Sequence, residues 1–261
     1  MLRCAVLILV TTLSPASPAL ADKPAQDWYA WKTDTERVSD GALTYYVHTP
    51  PGYEANVGKR YPLVIILHWS YVSGKSYLHY WRPDGDKHNV ILAAPNSRGR
   101  ASWIPADGAN IAEVVRRVSK THAVDPSRIW LAGYSAGGVF VYNMLFKYPD
   151  LFDAVLPLGG RIGRHRSDAP REPGPRHSRV CLFHGEWDRR YGKGSDIADK
   201  QKLTALGYDV EHHVMPRFGH WIPRTQGDNM LRCLNGSLPV VPGIARGSER
   251  ARRHERLSLE P

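Results

Sequence analysis

The sequence lacks the features that mark metal-binding, repeat and nucleic-acid-binding proteins. Only three of its 261 residues are cysteines, and it contains neither a paired-cysteine nor an H-E-x-x-H zinc spacing, so we expect neither a metal nor another cofactor. It shows no internal repeat, which argues against a solenoid. Nucleic-acid-binding signatures are also missing, and aromatic residues do not alternate regularly with basic ones. We therefore expect no nucleic-acid partner.

The N-terminus has the three-part layout of a secretory signal peptide. A charged start at residues 1–3 precedes the apolar run Ala5–Val10 and the small-residue segment Ala19–Ala21. The apolar run is far shorter than the roughly 20 residues needed to span a bilayer. We predict a signal peptide over residues 1–21, no stable membrane anchor after its removal, and a secreted or periplasmic protein.

Signal cleavage would remove Cys4 and leave two cysteines in an oxidising compartment. Cys181 and Cys233 either form one disulfide or remain two buried free thiols, and the sequence leaves both alternatives open. The residue directly after the predicted cleavage point is Asp22 and not a cysteine, so a lipoprotein is not indicated.

Positive charge is in excess, with a formal net charge of +10. Such an excess can attract nucleic acid or a membrane surface. Here, however, many of the arginines gather in a proline-containing loop, residues 161–179, and in a tail, residues 246–256. We interpret residues 236–261 as a disordered basic tail. The loop is either a lid facing the substrate or a solvated insertion.

The chain is long enough for a sizeable core, and 42% of its residues are apolar. Short apolar or β-branched runs alternate with segments of helical spacing. The runs are residues 43–48, 63–67, 90–94, 129–132, 154–156, 180–183 and 210–215. This alternation predicts one α/β domain over residues 22–235, with a mostly parallel central sheet and helices on both faces.

One turn in this pattern carries a catalytic signature. The segment GYSAGG at residues 133–138 follows the apolar run at 129–132 and precedes a helical segment at 139–146. In a G-x-S-x-G elbow, the glycines let strand and helix approach closely, and the serine is raised above the end of the sheet. Ser135 is therefore the predicted nucleophile.

Two later strands end in an acid and a histidine. Asp188 follows the run at 180–183, and His220 follows the last run, at 210–215. The order serine, acid, histidine is the order of this elbow fold, and functional groups of a parallel sheet collect beyond its carboxyl ends. We predict that Ser135, Asp188 and His220 form a catalytic triad. Glu186 is the alternative acid.

A triad also needs N–H donors for the oxyanion that forms during attack. One is expected from Ala136 at the start of the elbow helix. The second is expected from Ser70 or Trp69, in the loop after the strand at 63–67.

Several segments together resemble the α/β-hydrolase esterases, most closely the secreted polyhydroxybutyrate depolymerase and feruloyl esterase type. The resemblance covers roughly residues 43 to 225 and implies an α/β-hydrolase fold and serine esterase activity. Its segments are VDPSRIWLAGYSAGG at 124–138, YPDLFDAV at 148–155, HGEWD at 184–188, GHW at 219–221, TPPGY at 49–53 and YPLV at 61–64.

The sequence departs from that family directly after His68, where Trp69 stands in place of the family's usual glycine. Glycine there lets the oxyanion loop approach the substrate closely. Four tryptophans fall in loops near strand ends and predict an aromatic cleft for an aryl, sugar-linked or polyester substrate. They are Trp69, Trp103, Trp187 and Trp221.

The predicted function is therefore cleavage of small-molecule or polymeric carboxylic esters through an acyl-enzyme. Two alternatives stay open. The same triad could cleave peptides or amides, because the nucleophile and base do not distinguish an ester from an amide. A non-catalytic binding protein on the hydrolase scaffold is the other, since a fold alone does not imply activity. The sequence does not indicate the acyl length or the oligomeric state.

Overall fold

The computed structural model describes residues 35–40, 43–55, 58–99, 101–174, 176–192, 194–221 and 224–237. These residues belong to a single compact unit. The predicted signal peptide, and all but the first two residues of the predicted tail, lie outside the described residues.

A twisted eight-stranded sheet organises the fold. Its strand order is β1-β2-β4-β3-β5-β6-β7-β8; β1 pairs with β2 and β2 with β4 in antiparallel fashion, and every other neighbouring pair is parallel. The strands are β1 (Thr35–Asp40), β2 (Leu43–His48), β3 (Tyr61–Leu67), β4 (Ile91–Pro95), β5 (Val124–Tyr134), β6 (Ala154–Leu158), β7 (Arg179–Gly185) and β8 (Asp209–Met215).

Among the described residues, five helices cover the sheet. They are α1 (Gly74–Lys87), α2 (Asp107–Thr121), α3 (Ala136–Lys147), α4 (Ser195–Ala205) and α5 (Gly227–Leu234), with short 3-10 segments at Gly163–Asp168 and Arg224–Gln226. Within the described residues, no helix is long and apolar enough to cross a membrane.

Two apolar layers sandwich the sheet, and β3 shows how they form. Its residues are buried on both faces; Leu63, Ile65 and Leu67 join the layer of α2, α3 and α4, whereas Val64 and Ile66 join that of α1 and α5. A strand buried on both faces must be apolar throughout, because successive side chains alternate between faces. The predicted α/β architecture, mostly parallel with helices on both faces, is confirmed.

The strand β7 is tied to the last helix by a disulfide. Cys181 in β7 and Cys233 in α5 are bonded, with Cα atoms 6.1 Å apart, and both residues are buried. Of the two alternatives left by the sequence, the structure contains the disulfide. It fixes α5 against the layer that also holds α1.

Loss of this bridge is expected to destabilise the fold strongly. A double variant, Cys181→Ala with Cys233→Ala, frees a segment of 52 residues in the unfolded chain, and loop-closure entropy puts the loss in unfolding free energy at about 4 kcal/mol. Urea denaturation measures it, and wild type under reducing conditions is the control. A loss below about 1 kcal/mol would contradict the entropic argument.

Candidate active site

The sharp turn between β5 and α3 raises Ser135 above the end of the sheet. Its backbone has φ 54° and ψ −112°, a conformation that is strained for a residue with a side chain. The neighbouring glycines make the turn possible. A Cβ on Gly133 would lie 2.5 Å from the Gly137 carbonyl, and one on Gly137 would collide with the Leu67 carbonyl. The local sequence therefore determines the turn.

Ser135, His220 and Asp188 form a continuous hydrogen-bonded chain. His220 Nε2 lies 2.9 Å from Ser135 Oγ, and His220 Nδ1 lies 2.7 Å from Asp188 Oδ2. Because the carboxylate only accepts, Nδ1 carries the proton, which leaves Nε2 to accept from the serine hydroxyl. The Asp188 side chain is 1% exposed and that of His220 25%, and Ser135 is half-buried, so the acid lies behind a histidine and a serine that both reach solvent.

The loops after β7 and β8 bring the acid and the histidine together. The Trp187 N–H donates to the Phe218 carbonyl at 2.8 Å, and the Glu186 N–H donates to the Met215 carbonyl at 3.0 Å. Gly185 permits this approach, since a Cβ there would collide with the Phe218 carbonyl. The two loops are therefore held as one unit beside the serine.

The alternative acid, Glu186, points elsewhere. Its Oε2 accepts from the Arg217 N–H at 2.8 Å, on the exposed outer side of the loop. Asp188 is instead buried, and its second oxygen accepts from the Arg190 N–H at 2.9 Å. The geometry therefore supports Asp188 as the partner of His220.

Tyr134 is a site residue that sequence reasoning missed. Its hydroxyl donates to the His220 carbonyl, and the two rings lie 5.5 Å apart. Burial raises the pKa of Tyr134 to about 12, so the hydroxyl keeps the proton that it donates. Tyr134 thus holds the histidine loop against the elbow. No local signal marks this role, because the contact spans 86 residues.

The loop after β3 is locked by His68. Its Nδ1 lies 2.7 Å from the Trp69 carbonyl, which requires a proton on Nδ1, and its Nε2 accepts from the Ser97 N–H at 3.1 Å. The side chain is buried. Both nitrogens are satisfied only in the neutral ring, so His68 supports the segment of the predicted second oxyanion donor and is not itself free to act as a base.

Acid is expected to weaken this loop. Burial lowers the pKa of His68 below its ordinary value of about 6.5, with the Trp69 carbonyl and Asp107 opposing that shift. The unfolded chain therefore binds the proton more readily than the folded one. The contribution of neutral His68 to the free energy of unfolding is present above about pH 6.5 and is lost as the pH falls below that value, by up to about 1.4 kcal/mol per pH unit.

Urea denaturation at pH 7.5 and pH 5 tests the pH effect. His68→Asn keeps a donor for the Trp69 carbonyl but does not titrate in this range, so its stability should fall less between the two pH values than that of wild type. His122→Asn is a second test of the same effect, because burial also lowers the pKa of His122, which follows α2, and its substitution should reduce the pH effect in the same direction. Equal losses in wild type and His68→Asn would contradict the assignment.

A small aromatic pocket adjoins the triad. Its volume is about 10 Å³, enough for one water, so an aromatic substrate group would enter only if side chains move. Trp69 packs edge-on against Tyr134, with ring centres 5.5 Å apart, and Trp221 is 58% exposed at the entrance. The lining residues are Trp69, Tyr77, Tyr80, Tyr134, Leu158 and Trp221.

Two of the four predicted cleft tryptophans lie outside this pocket. Trp103 is 1% exposed; it stacks on Phe140 in the core, and its Nε1 donates to the His68 carbonyl at 2.8 Å. It therefore supports the β3 loop from behind and offers no face to a substrate, contrary to the prediction. Trp187 is 54% exposed and does not line the pocket. Trp69 and Trp221 remain as its tryptophan walls.

The arginine loop has two differently placed ends. Arg161 begins it beside the triad, whereas Arg176 donates to the Leu206 carbonyl at 3.0 Å, near the amino end of β8. Arg179, at its far end, is buried and paired with Asp209 and Glu211. The loop runs from the carboxyl end of β6 to the amino end of β7, so its far end lies at the opposite end of the strands from the site.

Glu211, His213 and Cys233 also bring potential metal-ligating atoms close together. The Cys233 sulfur is bonded to Cys181, which removes the thiolate that a metal would require. No metal site is assigned to these residues.

Residues 96–162 match the model of the prolyl oligopeptidase family. The chain is 30% identical over 135 residues to poly(3-hydroxyalkanoate) depolymerase C of Paucimonas lemoignei. The aligned region covers 46% of this chain and 32% of the depolymerase. It is also 30% identical over 131 residues to a probable feruloyl esterase C of Aspergillus flavus, covering 45% of this chain and 46% of that protein. The chain thus spans less than half the length of these relatives.

Solved structures extend the similarity to most of the chain. An acetyl xylan esterase from Aspergillus awamori matches with a TM-score of 0.64 and 14% identity, over 77% of this chain and 98% of the esterase. A carboxylesterase from Mesorhizobium loti matches with a TM-score of 0.61 and 18% identity, over 78% of this chain and 99% of the carboxylesterase. The predicted α/β-hydrolase fold and the resemblance to its esterases are confirmed.

Proposed function

We propose that this α/β-hydrolase-fold protein is a serine hydrolase that cleaves carboxylic esters. The observation that carries the proposal is the position of His220, which lies within hydrogen-bond distance of both Ser135 Oγ and the buried Asp188. A serine hydroxyl alone is a poor nucleophile near neutral pH, and a neighbouring base with a fixed tautomer corrects this. The esterases among the similar proteins support the same chemistry.

The proposed reaction has two stages. Ser135 Oγ forms a bond to the ester carbonyl carbon while its proton passes to His220 Nε2; the C–O bond to the alcohol then breaks, and the alcohol leaves with that proton. In the second stage, water gives a proton to His220 and attacks the acyl carbon. The bond between the acyl carbon and Ser135 Oγ then breaks, Oγ takes the proton from His220 Nε2, and the acid is released. Asp188 stabilises the positive charge on His220 in both stages.

The oxyanion is proposed to accept from the backbone N–H of Ala136 and from that of Trp69 or Ser70. Ala136 is the first residue of α3, where N–H groups lack partners within the helix and the helix dipole favours negative charge. The β3 loop is near enough to contribute, because Gly137 packs directly against the Leu67 and His68 carbonyls. The Trp69 ring lines the aromatic pocket, and it is the Trp69 backbone N–H that is proposed as the oxyanion donor.

We propose that an aryl, sugar-linked or polyester group of the substrate contacts the aromatic pocket. Trp221→Ala removes an exposed wall of that pocket and should raise KM for methyl ferulate by about three- to tenfold, with less effect on p-nitrophenyl acetate. Trp187→Ala is the matched control, since its similarly exposed ring does not line the pocket. Equal KM values in wild type and Trp221→Ala would exclude this binding mode.

Amide cleavage is the second candidate, favoured by the match to the prolyl oligopeptidase family. A panel of p-nitrophenyl acetate, methyl ferulate, a short polyhydroxyalkanoate and a peptide anilide separates the two. We expect kcat/KM for at least one ester to exceed that for the anilide by a factor of 100 or more (about 3 kcal/mol). Faster cleavage of the anilide would replace the esterase assignment by a peptidase one.

We also propose that the protein acts outside the cytoplasm. The signal-like N-terminus and the disulfide between Cys181 and Cys233 support an oxidising compartment. Detection of the mature chain beginning at Asp22 in periplasm or medium tests this.

A further inference from the structure

An arginine near the proposed base, Arg161, forms no ion pair with an acidic residue among those that the structure describes. The contacts of the Arg161 guanidinium in the described part of the chain are with Tyr191, whose ring centre lies 5.1 Å away and whose carbonyl accepts at 3.4 Å. Tyr191 in turn packs edge-on against His220, with ring centres 5.9 Å apart. One aromatic ring, that of Tyr191, therefore lies between this exposed guanidinium and the histidine.

The backbone around Arg161 is held firmly. Gly160 precedes it and packs against the Gly138 carbonyl, where a Cβ would lie within 2.6 Å. Ile162 follows it, fully buried, and donates its N–H to Asp199 at 2.8 Å. Two residues earlier, Gly159 borders the His220 ring. The backbone is thus held on both sides of Arg161, which fixes the point from which its side chain projects.

The leaving alcohol is the part of the substrate closest to this cation. His220 Nε2 returns its proton to the alcohol oxygen, so the alcohol portion must adjoin His220. A guanidinium presents N–H donors in a planar fork that fits a carboxylate with two parallel hydrogen bonds. The hydrogen bond to the Tyr191 carbonyl uses one of the five N–H groups of the Arg161 guanidinium, so other N–H groups can donate to a carboxylate.

We infer that Arg161 selects esters whose alcohol portion carries a free carboxylate, that is, hydroxy acids that are acylated on their hydroxyl group. The inference rests on the proposed function and names its substrate class. Hydrolysis of such an ester releases a carboxylic acid and a hydroxy acid, and the carboxylate that Arg161 contacts takes no part in the chemistry. The formal net charge of +10 favours the approach of an anionic substrate.

Acetate release from two matched substrates tests the inference. 3-Acetoxybutyrate carries the carboxylate on its alcohol portion, and methyl 3-acetoxybutyrate masks it. For wild type, kcat/KM should be about five- to tenfold higher for the acid than for its methyl ester, mainly through KM. The preference should decline in 0.5 M salt, because an exposed ion pair is screened. Monomethyl succinate, with its carboxylate on the acyl side, should gain no such preference over dimethyl succinate.

Three variants identify the residue. Arg161→Gln should bring the ratio of the two kcat/KM values close to one, and Arg161→Lys should keep part of it because it keeps the charge. Arg171→Gln is the matched control; it removes an equal exposed charge from the same loop, beside Leu206 and far from the triad, and should keep the wild-type ratio.

Distinct outcomes separate the failure of this inference from that of the proposed function. A wild-type ratio near one, or an equal fall on both substrates in Arg161→Gln, would overturn the role of Arg161 while ester hydrolysis stands. A preference for monomethyl succinate would also overturn it, by moving the anion to the acyl side. No hydrolysis of any ester by folded wild type would overturn both proposals.

Discussion

Replacing Ser135 by alanine is expected to lower kcat for every ester by about 10⁴-fold to 10⁶-fold. Alanine retains the backbone of the elbow but lacks the oxygen that is proposed to attack the ester carbonyl. The residual rate would come from water activated by His220 and from the oxyanion donors, which stay in place. Initial rates with p-nitrophenyl acetate measure the effect, and the thermal melting temperature should stay within a few degrees of wild type.

A fluorophosphonate probe gives a readout of Ser135 that is independent of substrate choice. Wild type should be labelled on Ser135, and labelling should disappear in both Ser135→Ala and His220→Ala. The His220 variant keeps the hydroxyl but loses the base that lies 2.9 Å from it. A folded wild-type protein that is not labelled would instead favour a binding protein on the hydrolase scaffold.

The second large effect is expected at the buried acid. Asp188→Asn should lower kcat by about 10⁴-fold, because an amide can donate to His220 Nδ1 and so favours the wrong tautomer. The carboxylate also stabilises the imidazolium, and it does so strongly because its side chain is 1% exposed. Stopped assays with p-nitrophenyl acetate over pH 6 to 9 would show the loss throughout this range.

Glu186→Gln is the matched control for the acid. It lies two residues earlier, and glutamine keeps an oxygen that can accept from the Arg217 N–H. We expect kcat to stay within about threefold of wild type, as for a surface substitution. A large loss in Glu186→Gln with little loss in Asp188→Asn would reassign the acid to Glu186.

Most parallel strands were predictable from sequence because they are buried on both faces. Runs such as Leu63–Leu67 are therefore apolar without interruption, and their number and spacing are visible in the chain. Helix α1 was not predicted. It contains Pro83 and two glycines, Gly74 and Gly85, that permit close packing on Pro95 and Leu92. Its stability comes from tertiary contacts, including buried Trp81, and local propensity does not reveal it.

The aromatic pocket and the position of Arg161 were harder to predict than the order of Ser135, Asp188 and His220. Trp103 and Trp221 both follow strand ends in sequence, yet one is buried under the β3 loop and the other is exposed at the pocket. Tyr134 attracted no functional prediction, and Arg161 was considered only as part of the loop at 161–179, because their contacts depend on the loops after β7 and β8. Contacts between distant loops leave no periodic pattern in the chain.

The sequence by itself determined the elbow, the order of Ser135, Asp188 and His220, and the strand ends at which they lie. These features depend on local rules: glycines at a tight turn, and the alternation of apolar strands with helices. Only the tertiary structure decided which acid meets the histidine, which tryptophans face the pocket, and that Cys181 pairs with Cys233. Those outcomes depend on side-chain directions set by packing between segments far apart in the chain.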